Sequence, residues 1–440
     1  MLSRSRIPVA FLGAAAIAVV PHTLMAQASP DPRLQAAIRT AITQNPEIAS
    51  MEARIEASRH RVAQADALPD PELELGLRDV PVSNPSLTRD DFTMEMIAAR
   101  QRIPSAGKRD TAERAAQADL EVMQAEHARH VIEIAADVAD SFFRLGELDR
   151  RISVAQETRS RLSDAVTASR ERYQVGKGIQ ADVLRANLEK TALDDRLASL
   201  TAARRSEAAR FNSLQNLPAD ASIEPVELAA AAETKLTRHP VGVSAELTRD
   251  AESMSPAVVS AAAHVRRAEQ ELEQAKLEKR ADWMLSGYYG HRVDFEDLFG
   301  VSVSFSLPWV HPRRLDERRA EREAALESAR ADLAAIRNSL RRDIGQAFAE
   351  LERNRDQARL YRESILPQAE INYRAASEAY AVGAIDFLTY VRSATDLDMY
   401  ESESAERQAG VGRALAMLQR ASGIPLIAGT PAGDDNHAKK

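Results

Sequence analysis

The sequence predicts a mainly α-helical fold with a small β part, in which one structural unit occurs twice along the chain. Three observations lead to this prediction. Alanine, arginine, glutamate and leucine dominate the 440 residues, and only 5% of residues are aromatic, a composition typical of long helices. Apolar residues recur at heptad spacing over two long stretches, as they do in coiled coils. Landmark residues of the first half reappear in the same order in the second half.

The N-terminus has the features of a cleavable export signal. Two arginines precede an apolar run at residues 7–20, and small residues at Ala26 and Ala28 offer two cleavage sites. This run is shorter than the about 20 residues that a membrane-spanning helix needs. We therefore expect residues 1–28 to be a signal peptide. Any later membrane segment of the exported protein must then consist of β-strands.

Composition also excludes several classes of function. The chain has no cysteine, so it cannot carry a disulfide framework, an iron–sulfur cluster or a lipid anchor on an N-terminal cysteine. Its formal net charge of -8 disfavours nucleic acid as a partner. Neither an H-E-x-x-H nor a G-x-S-x-G motif occurs. We therefore expect no enzymatic activity, no catalytic metal and no cofactor.

An internal duplication organises the chain. The helix-like segment that starts at Asn45-Pro46 recurs about 210 positions later, after Ser255-Pro256. In each half, two strand-like segments follow, then a long heptad stretch, a Y-x-V-G turn and a returning helix. The predicted boundaries are a first repeat at residues 29–216, a linker at 217–253, a second repeat at 254–425 and a disordered tail at 426–440.

Heptad spacing predicts the long helices. Val131, Val138 and Leu145 lie seven residues apart, with further apolar residues three positions on, which is the a/d pattern of coiled coils. A helix from about Lys108 to Gln174 would be about 100 Å long, far longer than a compact enzyme domain requires. In the second long helix, Pro367 removes one hydrogen-bond donor and should introduce a kink.

Four segments alternate apolar and polar residues, as strands do. They are residues 72–80, 92–102, 282–292 and 298–307. In an exported protein this pattern fits the strands of a membrane barrel, whose alternate residues face lipid and water. The residues predicted to face lipid are Leu73, Leu75, Val301, Val303 and Phe305. Four strands cannot close a barrel, so their open edges require other protomers.

Two motifs suggest other functions but lack the necessary context. Residues 176–181 match the G-x-G-x-x-A dinucleotide fingerprint, yet they follow a charged helix rather than a buried strand. A helix-ending turn explains these glycines better. His127 and His130 lie three residues apart and could bind a metal ion, but a solvated helix face explains them more simply. We predict neither a nucleotide site nor a metal site.

Together these features resemble the TolC-like outer-membrane efflux channels, in particular those that serve resistance-nodulation-division pumps. The segments that carry the resemblance are IPSAGKR at 103–109, YQVGKGIQADVL at 173–184, LPQAE at 366–370 and YAVGAIDFL at 380–388. The resemblance implies a homotrimer in which four strands per protomer form a twelve-stranded barrel in the outer membrane. The long helices would continue this barrel through the periplasm as an α-helical barrel. The channel would be a passive duct, supplied by an inner-membrane pump through a periplasmic adaptor, or membrane fusion protein.

The resemblance assigns two turns, at residues 175–178 and 382–385, to the periplasmic tip of the helical barrel. Each turn begins with the Val-Gly pair of a Y-x-V-G motif. The residues implied to dock the adaptor there are Val175, Gly176, Val382 and Gly383. Glycine suits such a turn, because a short connection between antiparallel helices needs a positive φ.

The resemblance also implies a gate that closes the periplasmic end of the channel. The candidate gate residues are Asp182, Tyr380, Asp386 and Arg392. Here Ile385 takes the place of the family's gate arginine, and Arg392 stands at a position that is acidic in the family. We therefore predict that Arg392 pairs with Asp182 in a charge-assisted contact that holds the end closed. The alternative is that Arg392 only faces a neighbouring helix.

Two questions stay open at this point. A periplasmic coiled-coil scaffold or adaptor without channel activity would explain the long helices, but it would leave the four strands without a purpose. The sequence gives less information about the transported substance. The Gly107-Lys108-Arg109 junction resembles channels of heavy-metal cation pumps, which favours metal ions, yet such junctions also occur in drug-efflux relatives.

Overall fold

The computed structural model describes residues 31–83, 85–228 and 240–427. The predicted signal peptide at 1–28 and most of the predicted tail at 426–440 lie outside these ranges. Long helices form most of the described chain, and four antiparallel strands form one sheet, which confirms the mainly α-helical fold with a small β part. None of the helices in the described ranges combines the length and the apolarity of a membrane span.

The elements of the described chain follow one another in an order that occurs twice: two helices, two strands, a long helix and a returning helix. They are α1 (Pro32–Gln44), α2 (Pro46–Ala65), β1 (Glu72–Arg78), β2 (Met94–Ile103), α3 (Lys108–Gln174), α4 (Gln180–Leu214), α5 (Pro240–Met254), α6 (Pro256–Leu277), β3 (Trp283–His291), β4 (Leu298–Phe305), α7 (Pro312–Leu360), α8 (Leu366–Ala381) and α9 (Phe387–Ser422). A 3₁₀ turn at Pro308–Val310 precedes α7.

The two halves bury corresponding residues. Val138 and Phe142 of α3 lie in a core cluster with residues of α1. Ile344 and Phe348 of α7, which stand 206 positions later in the sequence, lie in a second cluster with residues of α5. A third cluster joins the halves at the ends of the helices farthest from the sheet. The long helices therefore share a core along their length.

The linker predicted at residues 217–253 contains a helix, which corrects the predicted boundary. α5 begins at Pro240, and its residues Leu247 and Ala251 are buried. Proline suits the first turn of a helix because no N–H hydrogen bond is made there. The segment shows no heptad pattern, since α5 is short and only a narrow face of it is buried. The second set of elements therefore begins at about residue 240 rather than 254.

The longest helix has the predicted bounds. α3 runs from Lys108 to Gln174 and has 67 residues, which corresponds to about 100 Å at the rise of an α-helix. Gly176 follows it with a φ of 72°. The N–H of Lys177 donates to the carbonyl of Arg172 at 2.8 Å, as in a left-handed glycine cap. The G-x-G-x-x-A motif is therefore a helix-ending turn, as predicted.

The corresponding long helix of the second half is interrupted close to Pro367, where a kink is predicted. α7 ends at Leu360, a π-helical turn spans Tyr361–Ile365, and α8 begins at Leu366. Pro367 lies in the first turn of α8, where its ring lacks the N–H that the helix would use. A π-helical turn shifts the hydrogen bonds by one residue. The interruption is therefore a local change of winding and not a break.

The strands pair in the order β1-β2-β3-β4, so β1 and β4 are the two edges of the sheet. All four strands are shorter than predicted, and for two of them the local cause is visible. β1 ends at Arg78 rather than Val80, because Asp79 has a φ of 57° and leaves the extended conformation. β4 ends at Phe305 rather than residue 307, because Pro308 begins a 3₁₀ turn soon after. Both hairpin turns lie at the end of the sheet away from the helices.

Candidate functional site

The two Y-x-V-G turns lie side by side at the end of the helices that is farthest from the sheet. Gly176 and Gly383 have φ angles of 72° and 79°, which glycine adopts at little cost. Val175 and Val382 are 68% and 82% exposed. The structure thus brings together the docking residues predicted in both halves and presents their apolar side chains to solvent.

Arg172, in the last turn of α3, joins the first tip to the second. Its Nη1 donates to the backbone carbonyl of Tyr380 at 2.5 Å, and its Cζ lies 4.8 Å from the centroid of the Tyr380 ring. A Cβ atom at Gly383 would lie 3.2 Å from Arg172 Nη2, so glycine leaves room for the guanidinium. Sequence reasoning missed Arg172. Its one signal is a basic residue near a helix C-terminus, where carbonyls lack partners.

Tyr380, a predicted gate residue, is buried in a stack of aromatic rings. Its ring is parallel to that of Tyr390 with a centroid distance of 5.1 Å, and Phe387 meets it edge-on at 5.7 Å. Tyr390 also stacks on Tyr373 at 6.2 Å. Burial raises the pKa of Tyr380. The main role of Tyr380 within the protomer is therefore to pack α8 against α9.

Asp386, another predicted gate residue, caps the N-terminus of α9. Its carboxylate accepts hydrogen bonds from the Thr389 N–H at 2.8 Å and from the Thr389 hydroxyl at 3.1 Å. The bond from the Thr389 N–H is the main reason why the pKa of Asp386 is lowered. Asp182 lies in the first turn of α4 and lines, with Arg172, a groove of about 940 Å³. Both carboxylates lie at helix starts, where negative charge is favourable.

The predicted contact between Arg392 and Asp182 is not formed within one protomer. Arg392 lies in the second turn of α9 and is exposed. In the described ranges of the chain, no ion pair links its guanidinium to Asp182 or to another carboxylate. Arg172 is the cation that lies near Tyr380 instead. The pairing of Arg392 with Asp182 stays a prediction that the contacts of a single protomer do not show.

A second cluster of charged groups lies where the strands meet α3. Asp282, just before β3, accepts from Lys108 Nζ at 2.7 Å and from Arg102 Nη2 at 2.9 Å. The N–H of Ser105 also donates to it, at 3.0 Å. Burial by itself would raise the pKa of Asp282, but these hydrogen bonds outweigh it and lower the pKa to about 2. Asp282 thereby ties the second half of the chain to the first, a role that no sequence motif indicated.

The Gly107-Lys108-Arg109 segment makes its contacts within the protomer. Gly107 has a φ of 86° where the chain enters α3. Lys108 binds Asp282, and Arg109 Nε donates to the carbonyl of Asp66 at 2.7 Å. A structural role at the start of α3 accounts for all three residues. The segment therefore does not by itself indicate the transported substance.

The sheet has one apolar face and one polar face. The register aligns Leu75, Ile97 and Tyr289 across neighbouring strands on the apolar face. The residues predicted to face lipid lie on this face and are 52–69% exposed: Leu73, Leu75, Val301, Val303 and Phe305. On the opposite face, Glu74 forms an ion pair with Arg100, and the hydroxyls of Ser286 and Ser302 are hydrogen-bonded at 2.9 Å.

The histidines of α3 contact carboxylates of α2 and of α3 itself. Nε2 of His130 lies 3.0 Å from the carboxylate of Glu47, and Nδ1 lies 3.7 Å from Glu133. In the ranges that the structure describes, no three histidine, aspartate or glutamate side chains converge as metal ligands.

Long antiparallel helices that continue from a sheet with an exposed apolar face define a class of protein, the channel-forming proteins of the outer membrane. Residues 37–217 match the family described as outer membrane efflux protein. The chain is 25% identical over 289 residues to the cobalt-zinc-cadmium resistance protein CzcC of Cupriavidus metallidurans. This match covers 65% of the chain and 66% of that relative, just under two thirds of its length.

Solved structures show the same fold. VceC from Vibrio cholerae has a TM-score of 0.73 and 18% identity, with 89% of this chain and 96% of that chain covered. A membrane protein from Pseudomonas aeruginosa has a TM-score of 0.77 and 16% identity, with 96% and 99% covered. The family match over residues 37–217 and the shared fold make the chain similar to the outer membrane efflux proteins, the TolC-like channels. The resemblance inferred from its motifs is confirmed, and the family is one of channels and not of enzymes.

Proposed function

We propose that the protein is the outer-membrane channel of a tripartite efflux system, a passive duct through the periplasm and the outer membrane. It works as a homotrimer with an inner-membrane resistance-nodulation-division pump and a periplasmic adaptor. The sheet carries this proposal: its two edges are open, one face is apolar and exposed, and its strands lead directly into long helices.

The open edges of the sheet require further copies of the chain, and the resemblance to the TolC-like channels sets their number at three. Unpaired backbone groups along β1 and β4 are not tolerated in the hydrocarbon core of a membrane. Four strands are too few to close on themselves, since known membrane barrels have at least about 8 strands. Three copies supply twelve strands and pair every edge. The exposed apolar face then meets lipid, and the face with Glu74, Arg100 and Ser302 lines the lumen.

The helices also leave two faces open for neighbouring copies. In the half of the molecule nearer the tip, α3 packs against α4 and α9, and α9 packs against α7 and α8, so α4 and the α7–α8 path are outermost there. Leu184 and Leu188 are exposed on α4, and Leu360 and Ile371 are exposed on the other side. Contact between α4 of one copy and α7–α8 of the next buries these side chains and closes a ring of helices.

The exposed valines at the tip support adaptor docking. Val382→Asp and Val175→Asp should strongly reduce efflux while the trimer remains in the outer membrane, because neither side chain contributes to the core. Val82→Asp is a matched control, since Val82 is 97% exposed in the β1–β2 turn at the opposite end of the molecule. Loss of trimer in proportion to loss of efflux would show that the valines are structural.

The named relative favours heavy-metal cations as the transported substance. CzcC is by its name a cobalt, zinc and cadmium resistance protein, whereas the Gly107-Lys108-Arg109 segment does not distinguish metals from drugs. We expect deletion of the gene to lower tolerance to cobalt, zinc and cadmium and to leave tolerance to hydrophobic antibiotics unchanged. The opposite pattern would identify a drug channel. Unchanged tolerance to both groups, in a strain without related channels, would contradict the proposal.

Membrane fractionation separates the channel from the scaffold that the long helices alone would allow. A channel of this kind should stay in the outer-membrane fraction after a high-salt wash and migrate as a trimer until it is heated. A periplasmic scaffold would be released as soluble protein. Recovery in the soluble fraction would exclude the proposed duct.

A further inference from the structure

Two bulky side chains on the polar face of the sheet, those of Met94 and Tyr288, lean over glycines of neighbouring strands near the hairpin turns. Met94 and Met96 of β2 are buried there, with Tyr288 of β3 packed against them. Side chains on a strand usually stand roughly perpendicular to the sheet. A leaning orientation on this face therefore needs a local cause.

Glycines on the neighbouring strands are that cause. A Cβ atom at Gly300 would overlap the ring of Tyr288, and a Cβ atom at Gly290 would overlap the Sδ of Met94, both closer than 3.0 Å. Such distances do not occur between real side chains without displacement of one of them. The ring and the thioether occupy the space that side chains at these two positions would fill.

Gly76 shows that glycine on this face does not always have this role. It lies on the same face of β1, opposite Met96 in the register. A Cβ atom at Gly76 would meet no atom within 4 Å. The close approach is therefore specific to the positions of Gly290 and Gly300 and is not a general property of glycine on this face.

Arg78 covers the same group from the end of β1. Its guanidinium Cζ lies 5.9 Å from the centroid of the Tyr288 ring, and its Nη1 lies 3.8 Å from the Sδ of Met96. A cation over an aromatic face is favourable. This contact gives the ring a second favourable partner in the position that it has over Gly300.

We propose that Gly290 and Gly300, here called the wall glycines, hold Met94 and Tyr288 against the wall and thereby set the free width of the duct at its outer end. The inference rests on the proposed function, in which the polar face lines the lumen. With alanine at a wall glycine, the displaced side chain has only the lumen to move into. Three copies of the chain would then narrow the duct at one level.

The absence of cysteine from the chain allows a direct measurement of this width. Ser302 lies on the polar face, two residues closer to the helices than Gly300. In Ser302→Cys protein, a reagent that enters from outside must pass the level of Tyr288 before it reaches the thiol. Maleimide–polyethylene glycol reagents of graded size, applied to intact cells, then report the largest molecule that passes.

We expect Gly300→Ala in the Ser302→Cys background to abolish labelling by the largest reagents that label the parent protein. Gly76→Ala, the matched control, should leave the size limit unchanged. Tyr288→Ala combined with Gly300→Ala should restore the limit, and Met94→Ala should do the same for Gly290→Ala. An unchanged limit in Gly300→Ala, or an equal shift in Gly76→Ala, would overturn the proposal.

Two further outcomes distinguish a failure of this proposal from a failure of the proposed function. If Gly300→Ala reduces the amount of trimer, Tyr288→Ala in the same chain should restore it, and a defect that persists would contradict the role of the wall glycines. If even the smallest maleimide fails to label Ser302→Cys in cells but labels it in detergent, the polar face does not line an open duct. That result would count against the proposed function itself.

Discussion

The two ends of the molecule differ in how their side chains find partners. At the sheet end, Asp282 is held by three donors from the first half of the same chain. At the tip, Val175 and Val382 are exposed, and Arg392 has no carboxylate partner in the described part of its own protomer. A network that is complete within one chain keeps its geometry without a partner, whereas exposed apolar groups favour association. The junction at Asp282 is thus fixed within the chain, whereas the tip, like the exposed apolar face of the sheet beyond this junction, is suited to contact with other molecules.

The largest effect is expected at the sheet, where Val303→Arg should prevent insertion. An arginine in the centre of a lipid-facing strand costs about 2–4 kcal/mol. The neighbouring substitution Ser302→Arg should be tolerated, because Ser302 lies on the polar face. The measurement is the amount of heat-modifiable trimer in the outer membrane. Equal loss in both variants would show that the sheet does not separate lipid from water.

The next largest effect is expected at Asp282. Its pKa of about 2 lies below its usual value of 3.8, so the carboxylate stabilises the folded protein at neutral pH by roughly 2 kcal/mol. This stabilisation is present above the unfolded pKa and is lost as the pH falls from about 4 towards 2. Thermal melting of the trimer should therefore drop over this range.

Asp282→Asn is the matched variant, because it keeps the shape and removes the charge that Lys108 and Arg102 bind. Its melting temperature should be lower at neutral pH and should fall less between pH 4 and pH 2 than that of the parent protein. Identical pH profiles would mean that other carboxylates, and not Asp282, control the acid sensitivity of this end.

A smaller effect is expected at Arg172. Arg172→Ala removes a hydrogen bond to the Tyr380 carbonyl and a cation–π contact, together worth about 1–2 kcal/mol. The loss should appear as faster hydrogen exchange at the end of α8, with global melting little changed. Arg172→Lys should recover only part of the protection, since an ammonium lacks the planar fork. Unchanged exchange in both variants would remove Arg172 from the contact between the tips.

The smallest effect on stability is expected at the proposed gate. If Arg392 pairs with Asp182 of the partner subunit, Arg392→Ala and Asp182→Ala should each raise single-channel conductance in planar bilayers. The double variant should add little, because both changes remove one contact. Melting temperature should stay the same, since Arg392 is exposed. Unaltered conductance in both single variants would place the gate elsewhere.

Local periodicity explains why so much of the fold is predictable. The bounds of α3 follow from apolar spacing between Gly107 and Gly176, and the strands follow from alternation with a period of two. Both patterns depend only on residues that are close together in the sequence. α5 is the exception, because a short helix with a narrow buried face, centred on Leu247 and Ala251, leaves no periodic signal that distinguishes it from a linker.

The candidate sites are less predictable because they depend on contacts across the duplication. Asp282 and Lys108 are 174 positions apart, and Arg172 and Tyr380 are 208 apart. The resemblance located the turns at Val175 and Val382, but it could not show which cation approaches Tyr380. Arg392 was the expected partner for Asp182, whereas the three-dimensional packing places Arg172 beside Tyr380.

The π-helical turn changes the spacing of the buried residues by one position. Before it, the buried residues Ile344 and Leu351 lie seven residues apart. Beyond it, Tyr373 and Tyr380 are also seven residues apart, but Tyr380 stands 29 residues after Leu351, one more than four heptads. The register has moved by one residue, and the π turn between Leu360 and Leu366 accommodates that residue.

An extra residue in a coiled coil would ordinarily turn everything beyond it by about 100° around the helix axis. Here the rings of Tyr373 and Tyr380 still contact α9. The residues beyond the insertion therefore keep their orientation towards α9. In evolutionary terms, a duplicated gene can keep one regular copy as a partner while the other copy gains or loses single codons. The uninterrupted α3 and the adjusted α7–α8 path would then be two outcomes of one ancestral helix.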